Sequence, residues 1–258
     1  MMEFILIKIE KKIATITLNR PEKRNALNPQ LISELTYAFK EAESNSEIKV
    51  IILKSSTDNF SAGADLAYLQ QLQSNNYQQN LDDSNQLKLL FSTIYNLEKV
   101  VIAQVEGNAI AGGCGLATVC DIIFAVPDAF FGYTEVKIGF VPALVAAFLI
   151  RRIGEGRSRE LLLSGELIAA ETARQYGLVN FIEKKDNIAA VVHAYAEKLV
   201  QNTSSQSIRS TKELLAKISH LSIHESLDNA ANVNAEARLT DDCKKGIDAF
   251  LSKKHPKW

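Results

Sequence analysis

The chain has 258 residues, with 29 Lys and Arg against 30 Asp and Glu, for a formal net charge of −1. A chain of this length fits one or two domains and can fold without a disulfide or metal staple. Hydrophobic residues make up 47% and charged residues 23%, which is typical of a globular protein and excludes a disordered or fibrous one. Because basic residues are not in excess, we expect no nucleic-acid partner and no membrane-surface partner.

Cysteine spacing and targeting signals narrow the compartment. The cysteines, at 114, 120 and 243, are odd in number and lack CxxC spacing, so neither a disulfide framework nor a metal site is expected. The N-terminal run carries Glu3 and Lys8 and no small-residue cleavage site, so it predicts a strand. The longest uncharged apolar stretch, 138–150, is shorter than the ~18 residues of a membrane span. We therefore expect a reduced, cytoplasmic protein.

The predicted elements begin with two strands, at 4–9 and 12–18, joined as a hairpin. Asn28 is a typical helix N-cap with proline after it, and apolar residues at helical spacing predict a helix over Pro29–Ser44. Further strands are predicted at 49–54, 100–105 and 121–126. Strands separated by helices imply a layered α/β body with right-handed crossovers.

Two other stretches complete the predicted organisation. Residues 70–86 are polar and rich in Gln and Asn, which favours a solvated surface loop or helix end. From residue 187 onward the apolar pattern is helical, with stripes at 191–199, 208–218, 227–237 and 246–251. We therefore predict an α/β part over 1–186 and a helical part over 187–258.

Several common chemistries are excluded by their missing motifs. The chain has no GxxxxGK[ST] phosphate loop, no GxSxG nucleophile elbow and no HExxH. His220 and His224 stand four apart, but no third ligand is apparent, so a zinc site is not expected. The region 100–126 has the strand–turn–helix outline of a dinucleotide site, with Asp128 as a candidate ribose ligand. Thr118 fills the third small position of GxGxxG and the helix is short, so NAD binding is not expected either.

The glycine-rich segment has a second interpretation. A helix that begins near Gly112 presents unpaired backbone N–H groups, which can stabilise a developing oxyanion. A second small-residue loop, FSAGADL at 60–66, also leads into a helix. Two N–H donors from separate loops would suit an acyl carbonyl. Alternatively, these glycines only allow a helix to pack closely.

The two segments together carry a resemblance. SAGADL, then AGGCGLATVCDIIFA, then FFGYTEVKIGFVPA, with the early RPEKRNALN and the late GIDAFLSKKHPKW, resemble the enoyl-CoA hydratase/isomerase (crotonase) family over essentially the whole chain. The resemblance implies an α/β fold built as a spiral of β-β-α turns, with a helical C-terminal region used in trimer formation. It also implies an acyl-CoA substrate, no cofactor, no metal, and a homotrimer or dimer of trimers.

The resemblance also assigns roles to particular residues. It places the oxyanion donors on the backbone N–H groups of Ala62 and Gly112. The loop Ala62, Gly63, Ala64 and Asp65 would lie against the CoA, as would a second group of residues. That group consists of Lys23, Arg24 and Ala26 near the adenine and phosphates, and Phe250 and Lys253 reaching the CoA of a neighbouring subunit. The basic stretches 20–24 and 244–257 fit an anion site, although the last could simply be solvated.

One departure from the family pattern bears on the chemistry. Family hydratases use two glutamates. The later of the two is Glu135 in this chain, whereas the earlier position is Gly115. Because Gly115 has no side chain, we expect free room there, beside Cys114. A single carboxylate suffices to shift a double bond. A lost general acid/base costs 10²–10⁴-fold, so slower hydration through Glu135 alone is compatible with the sequence. Tyr133 and Asp65 are candidates to hold the water.

A second departure concerns the acyl pocket. Pro142 to Val145 replaces a glycine-rich turn, so bulkier residues are expected to alter the pocket. Gly115 together with TEVKIGFVPA is similar to a branch that includes methylglutaconyl-CoA hydratases of leucine breakdown. Related hydroxyisobutyryl-CoA hydrolases carry an acid where this chain has Ala143, which counts against thioester hydrolysis.

These observations favour hydration of a 2-enoyl-CoA, including a branched one, with Glu135 as acid/base. The alternatives are a double-bond isomerase and a catalytically silent acyl-CoA-binding paralogue.

Overall fold

The computed structural model describes residues 2–219, 221–256 and 258. The strands in that part of the chain are β1 Ile5–Glu10, β2 Ile13–Leu18, β3 Val50–Ser55, β4 Val100–Val105, β5 Ala109–Ile110, β6 Ile122–Ala125, β7 Phe130–Gly132, β8 Ile168–Ala169 and β9 Phe181–Ile182. The helices are α1 Pro29–Ser44, α2 Leu66–Leu72, α3 Tyr77–Asn96, α4 Gly112–Thr118, α5 Ala143–Ser164, α6 Ala170–Gln175, α7 Lys185–Asn202, α8 Ser205–Ile218, α9 Ile223–Leu239 and α10 Asp241–Leu251. Short 3-10 helices cover Pro21–Lys23 and Glu135–Ile138.

Two sheets organise the α/β part. The larger has the strand order β1-β2-β3-β4-β6-β9, and the smaller has the order β5-β7-β8. Strands β1 and β2 pair antiparallel, as the predicted hairpin requires, and β2, β3, β4, β6 and β9 run parallel. Every residue of β4 is buried. Parallel strands of this kind need cover on both faces, which the helices provide.

Helix α1 has the predicted bounds, and its N-terminus shows why. The Asn28 side chain accepts a hydrogen bond from the Leu31 N–H at 2.8 Å, and proline follows at the first helical position. Leu31, Leu35 and Phe39 then recur on one face and are fully buried. Local capping and apolar periodicity therefore agree, which is why this helix was predictable.

The polar stretch 70–86 is more regular than predicted. It is covered by the end of α2 and the first half of α3, with residues 73–76 between them. Asn76 and Gln79 form a capping box at the start of α3. The Gln- and Asn-rich half of α3 is exposed, and its buried residues, Leu90, Phe91 and Ile94, come later. Of the two expected forms, a solvated helix end describes most of the segment and a loop only residues 73–76, because the anchored half of a long helix carries a solvated half.

The C-terminal part is helical, as predicted, but the boundary at 187 falls inside α7. Ile188, Val192 and Ala196 of α7 are buried in the same core as the large sheet. Helices α8, α9 and α10 contain no buried residue. The structure therefore assigns α7 to the α/β core and leaves α8 to α10 as the outlying helices.

The structure bears on the zinc site and the membrane span that the sequence did not favour. His220 lies outside the described residues, and His224 is 3.7 Å from Asp228 of its own helix. Within the described ranges, no group of three His, Cys, Asp or Glu side chains is placed to hold a metal. Across those same ranges, no helix has both the length and the hydropathy needed to cross a membrane.

Candidate active site

The two small-residue loops lie side by side. The Ile110 N–H donates to the Ser61 carbonyl at 3.0 Å, and Ser61 forms an isolated parallel bridge with Ala109. Gly63 has φ +89°, and a Cβ there would lie 3.0 Å from both the Ala111 Cβ and the Ile110 oxygen. Only glycine fits such a backbone at this distance. The glycine therefore allows loop 61–65 to reach the start of α4.

The backbone amides of these loops differ in whether they are already paired. The Ala62 N–H donates to the Arg24 carbonyl at 3.0 Å, so the assignment of Ala62 as an oxyanion donor is contradicted. Leu27 forms a parallel bridge with Ala64: its N–H donates to the Gly63 carbonyl, and its carbonyl accepts from the Asp65 N–H. In such a bridge the N–H of the middle residue, Ala64, points away from Leu27.

Gly112 begins α4, where helix amides lack an intrahelical partner. No acceptor is found for the Ala64 and Gly112 amides within the described residues. We call these two N–H groups the amide pair.

Ala111, the residue before α4, has an unusual backbone. Its φ of 49° and ψ of −124° lie in a region that a residue with a Cβ rarely adopts. Two hydrogen bonds hold it there: its N–H donates to the Gly132 carbonyl at 2.7 Å, and its own carbonyl accepts from Gly115 at 2.9 Å. This strained position sets the direction in which α4, and therefore the Gly112 amide, begins.

Glu135 follows the strand that supports α4. It starts the 3-10 helix Glu135–Ile138, three residues after Gly132, and its charge acts on the Cys114 thiol of α4. Its Oε2 is buried and has no hydrogen-bond partner within the described residues. Burial raises the pKa of Glu135, and a hydrogen bond with its own backbone only partly opposes this. A carboxylate with one buried oxygen left without a described partner suits proton transfer to a bound molecule.

The place beside Gly115 is occupied, which corrects the expectation of free room. An added Cβ would lie 2.4 Å from Val145 Cγ1 and about 3.0 Å from the Phe91 ring. Val145 is the last residue of the altered turn, and it lies in the first turn of α5. Cys114 is itself fully buried, and burial raises the pKa of its thiol to about 12. The altered turn therefore fills the position of the missing glutamate with apolar atoms.

The two candidate water ligands are engaged elsewhere. The Tyr133 hydroxyl is fully buried and lies 2.6 Å from the Thr118 hydroxyl. The Asp65 carboxylate lies 2.6 Å from Arg20 and accepts the N–H groups of Ala67 and Tyr68 at the start of α2. Both side chains support the backbone around the site, so neither is placed to hold a water for the reaction.

The residues expected near CoA fall into two separate groups. Lys23 and Arg24 are exposed, and the Arg24 carbonyl joins them to loop 61–65. Ala26 is buried, and its carbonyl accepts from Arg20. Phe250 and Lys253 are exposed on and just after α10, which packs on α8 and α9. The single chain therefore brings the first group to the site and leaves the second on the outlying helices.

Asn25 is a supporting residue that the sequence did not reveal. It is fully buried, its side-chain amide donates to the Ser55 hydroxyl at 2.7 Å and the Phe60 carbonyl at 3.1 Å, and its carbonyl accepts from Ser61. It therefore ties segment 20–27 to loop 55–65. Asn25 stands in the run RNALN, but no local sequence signal indicates that its side-chain amide points into the core.

Comparison with known proteins shows the family of the chain. The family model for enoyl-CoA hydratase/isomerase matches residues 8–258. The chain belongs to the enoyl-CoA hydratase/isomerase family. A Thermus thermophilus relative, whose name marks its enoyl-CoA hydratase activity as provisional, is 39% identical over 98% of this chain and 100% of its own. The short-chain-enoyl-CoA hydratase of Clostridium acetobutylicum is 30% identical over 97% of this chain and 95% of its own.

Solved structures show the same fold. The crystal structure of an enoyl-CoA hydratase from Shewanella pealeana superposes with a TM-score of 0.94 at 28% identity, covering 100% of this chain and 96% of that one. The predicted crotonase-like α/β fold with a helical C-terminal region is confirmed. As a member of the hydratase/isomerase family, the protein is an enzyme with hydratase or isomerase activity.

Proposed function

We propose that this enzyme adds water to a 2-enoyl-CoA, with the amide pair holding the thioester oxygen and Glu135 moving the proton. Two observations carry the proposal: the small-residue loops bring two amides without a described acceptor to the start of α4, and Glu135, whose buried Oε2 has no described partner, follows the strand that holds this start. The hydratase names of the relatives support addition of water as the reaction. A branched acyl group, as in methylglutaconyl-CoA, is included in the proposal.

The amide pair stabilises charge on the thioester oxygen. When a nucleophile attacks C3 of a 2-enoyl thioester, electron density moves through the conjugated system to the carbonyl oxygen and forms an enolate. The N–H groups of Ala64 and Gly112 face that oxygen, and each such donor contributes a few kcal/mol, about 10²–10³ in rate. Gly63 and Gly113 hold the donors in place by close packing of the two loops.

Glu135 alone can balance the protons of hydration. Its carboxylate takes a proton from water as the water oxygen bonds to C3, and the electron pair of the C2–C3 double bond moves toward the thioester oxygen. Glu135 then returns the same proton to C2, which re-forms the thioester carbonyl. The raised pKa of Glu135 favours holding that proton between the two steps. No cofactor or metal enters these steps.

A double-bond isomerase is the second candidate. The apolar packing of Val145 and Phe91 against Gly115 favours it, because a shift of the double bond needs only one carboxylate. Glu135 would remove the C2 proton of a 3-enoyl-CoA and return it to C4. The silent-paralogue alternative is disfavoured, because a buried carboxylate oxygen without a described donor is costly to retain without a use.

Binding of CoA and assembly follow from the same family membership. We propose that Lys23 and Arg24 contact the CoA phosphates, since both are exposed and joined to loop 61–65. Apolar side chains of α9 and α10 are largely exposed in the single chain, among them Ile223, Leu239 and Phe250. A trimer or dimer of trimers would cover these side chains and carry Phe250 and Lys253 toward a neighbour's CoA.

The test is turnover of three substrates: crotonyl-CoA, methylglutaconyl-CoA and a 3-enoyl-CoA, followed by absorbance and product mass. We expect hydration of a 2-enoyl-CoA, and we expect Glu135→Gln to slow it about 10²–10⁴-fold. Glu166→Gln, an exposed glutamate paired with Lys137, is the matched control and should leave the rate unchanged. If no substrate turns over and Glu135→Gln still binds CoA thioesters as well as the parent, the catalytic proposal is wrong.

A further inference from the structure

We propose that Val145 is a specificity-determining residue: by packing on Gly115 it excludes a second proton-transfer group from the site and leaves Glu135 to work alone. This inference rests on the proposed function. Val145 lies on α5, outside the amide pair, and its side chain has no group that could transfer a proton.

The contact between the two residues is too close for a side chain at position 115. Gly115 lies three residues after Gly112 and therefore on the same face of α4. An ideal Cβ there would be 2.4 Å from Val145 Cγ1, which is nearer than non-bonded carbon atoms approach. Even a methyl group does not fit while valine is present, so a carboxylate at this place requires a change at both positions.

The surroundings of the contact are apolar and held in place. The Phe91 ring lies 3.0 Å from the same added Cβ, and Phe148 packs edge-on against Phe91 with ring centroids 6.2 Å apart. Val145 is 3% exposed and Phe91 is fully buried. A water molecule here would lack the two to four polar partners that a buried water needs. The apolar wall formed by Val145, Phe91 and Phe148 therefore excludes an ordered water from the space beside Gly115, as well as a second acid.

The nearest polar groups of α4 do not reach this wall. The Thr118 hydroxyl donates to the Cys114 carbonyl at 2.7 Å and contacts the Tyr133 hydroxyl at 2.6 Å. These groups satisfy one another inside the core. The Asp65 carboxylate, next to Ala64, is held by Arg20 and the first amides of α2, which leaves Glu135 as the acid or base available near the amide pair within the described residues. Val145 thereby favours proton transfers that a single carboxylate can complete.

The test combines substitutions at the two positions. Gly115→Glu introduces a carboxylate and Gly115→Gln is its matched neutral control; each is made in the parent and in Val145→Ala, which removes the clashing Cγ1. Thermal unfolding measures the packing, and hydration of crotonyl-CoA measures the chemistry. Both Gly115 substitutions should lower the unfolding temperature strongly in the parent, and much less in Val145→Ala.

For the chemistry, we expect the Val145→Ala, Gly115→Glu variant to hydrate crotonyl-CoA at least tenfold faster than Val145→Ala, Gly115→Gln. Its pH–rate profile should also show a further ionisation. Equal unfolding penalties in both backgrounds would overturn the inference, and so would equal hydration rates for the two folded double variants. Failure of the proposed function would appear separately, as parent activity that Glu135→Gln leaves intact.

Discussion

At the scale of single residues, the site combines two features that cost stability. Glu135 places a buried carboxylate oxygen where no described group donates to it, and Ala111 keeps a positive φ that a side chain disfavours. Such costs are tolerated when surrounding structure enforces them, and they concentrate at functional sites. Because the costs come from desolvation and backbone strain, each can be measured independently of activity.

The first prediction concerns the stability of Glu135→Gln. Because burial raises the folded-state pKa of Glu135, the unfolded chain ionises this group more readily than the folded one. Stability is therefore lost as pH rises from the unfolded pKa through the folded one. We expect Glu135→Gln to be more stable than the parent at pH 7, by about 1 kcal/mol. The gain should vanish below about pH 4. Urea unfolding at the two pH values measures it, and an equal effect at both would contradict the explanation.

The second prediction concerns the glycine between the two loops. Gly63→Ala should lose stability and also weaken the polarisation of a bound thioester, because the new Cβ would push against Ala111 and Ile110. Gly177→Ala is the matched control: its φ of +85° is similar, but no atom of the described residues would lie within 4 Å of the added Cβ. The carbonyl stretching frequency of an isotope-labelled enoyl-CoA should therefore shift back toward its solution value in Gly63→Ala alone. Equal shifts in both variants would exclude the close-packing role.

At the scale of elements, some boundaries were predictable and others were not. Helix α1 combines an N-cap, a first-turn proline and a regular apolar face, so local signals agree. Residues 77–86 lack a buried apolar face, and they are helical because α3 continues into the buried Phe91. The short α2 follows its N-cap residue Asp65, whose carboxylate both caps the helix and pairs with Arg20. Tertiary partners therefore decide where the weaker helices form.

The third prediction concerns this helix start. Arg20 and Asp65 are both largely buried, so Asp65→Ala should leave the guanidinium with the Ala26 carbonyl and the longer contact to the exposed Glu22, and cost about 3 kcal/mol. Asp65→Asn keeps a capping oxygen and should cost less. Burial alone would raise the pKa of Asp65, but the hydrogen bonds from Arg20, Tyr68 and Ala67 lower it below its usual value. The stabilisation should therefore persist to about pH 4 and fade only in stronger acid. Urea unfolding of both variants between pH 7 and pH 3 tests the order.

At the scale of the whole molecule, the single chain is unevenly buried. The core continues through α7, whereas α8 to α10 contribute no buried residue and expose large apolar side chains. Large apolar side chains exposed together on neighbouring helices are typical of an interface between proteins. It fits the proposed homotrimer, in which copies of these helices cover one another.

The fourth prediction concerns that assembly. Leu239, at the end of α9, is 75% exposed, so Leu239→Lys should disrupt an interface without disturbing the core. Light scattering after gel filtration should show the mass falling toward that of one chain. Asn234→Lys, an exposed polar position on the opposite side of the same helix, is the control and should retain the parent mass. A parent that is already monomeric would contradict the assembly.

The sequence by itself determined the strong helices, the central strands, the two small-residue loops and the single glutamate, because these depend on local periodicity, capping and motif residues. Tertiary structure decided which amides are unpaired: the Arg24 carbonyl occupies the Ala62 N–H, whereas Ala64 remains available. It also decided that Val145 fills the place beside Gly115, since residues thirty positions apart meet only when α4 and α5 pack. Hydrogen-bond direction and the filling of space depend on distant segments, and no local pattern encodes them.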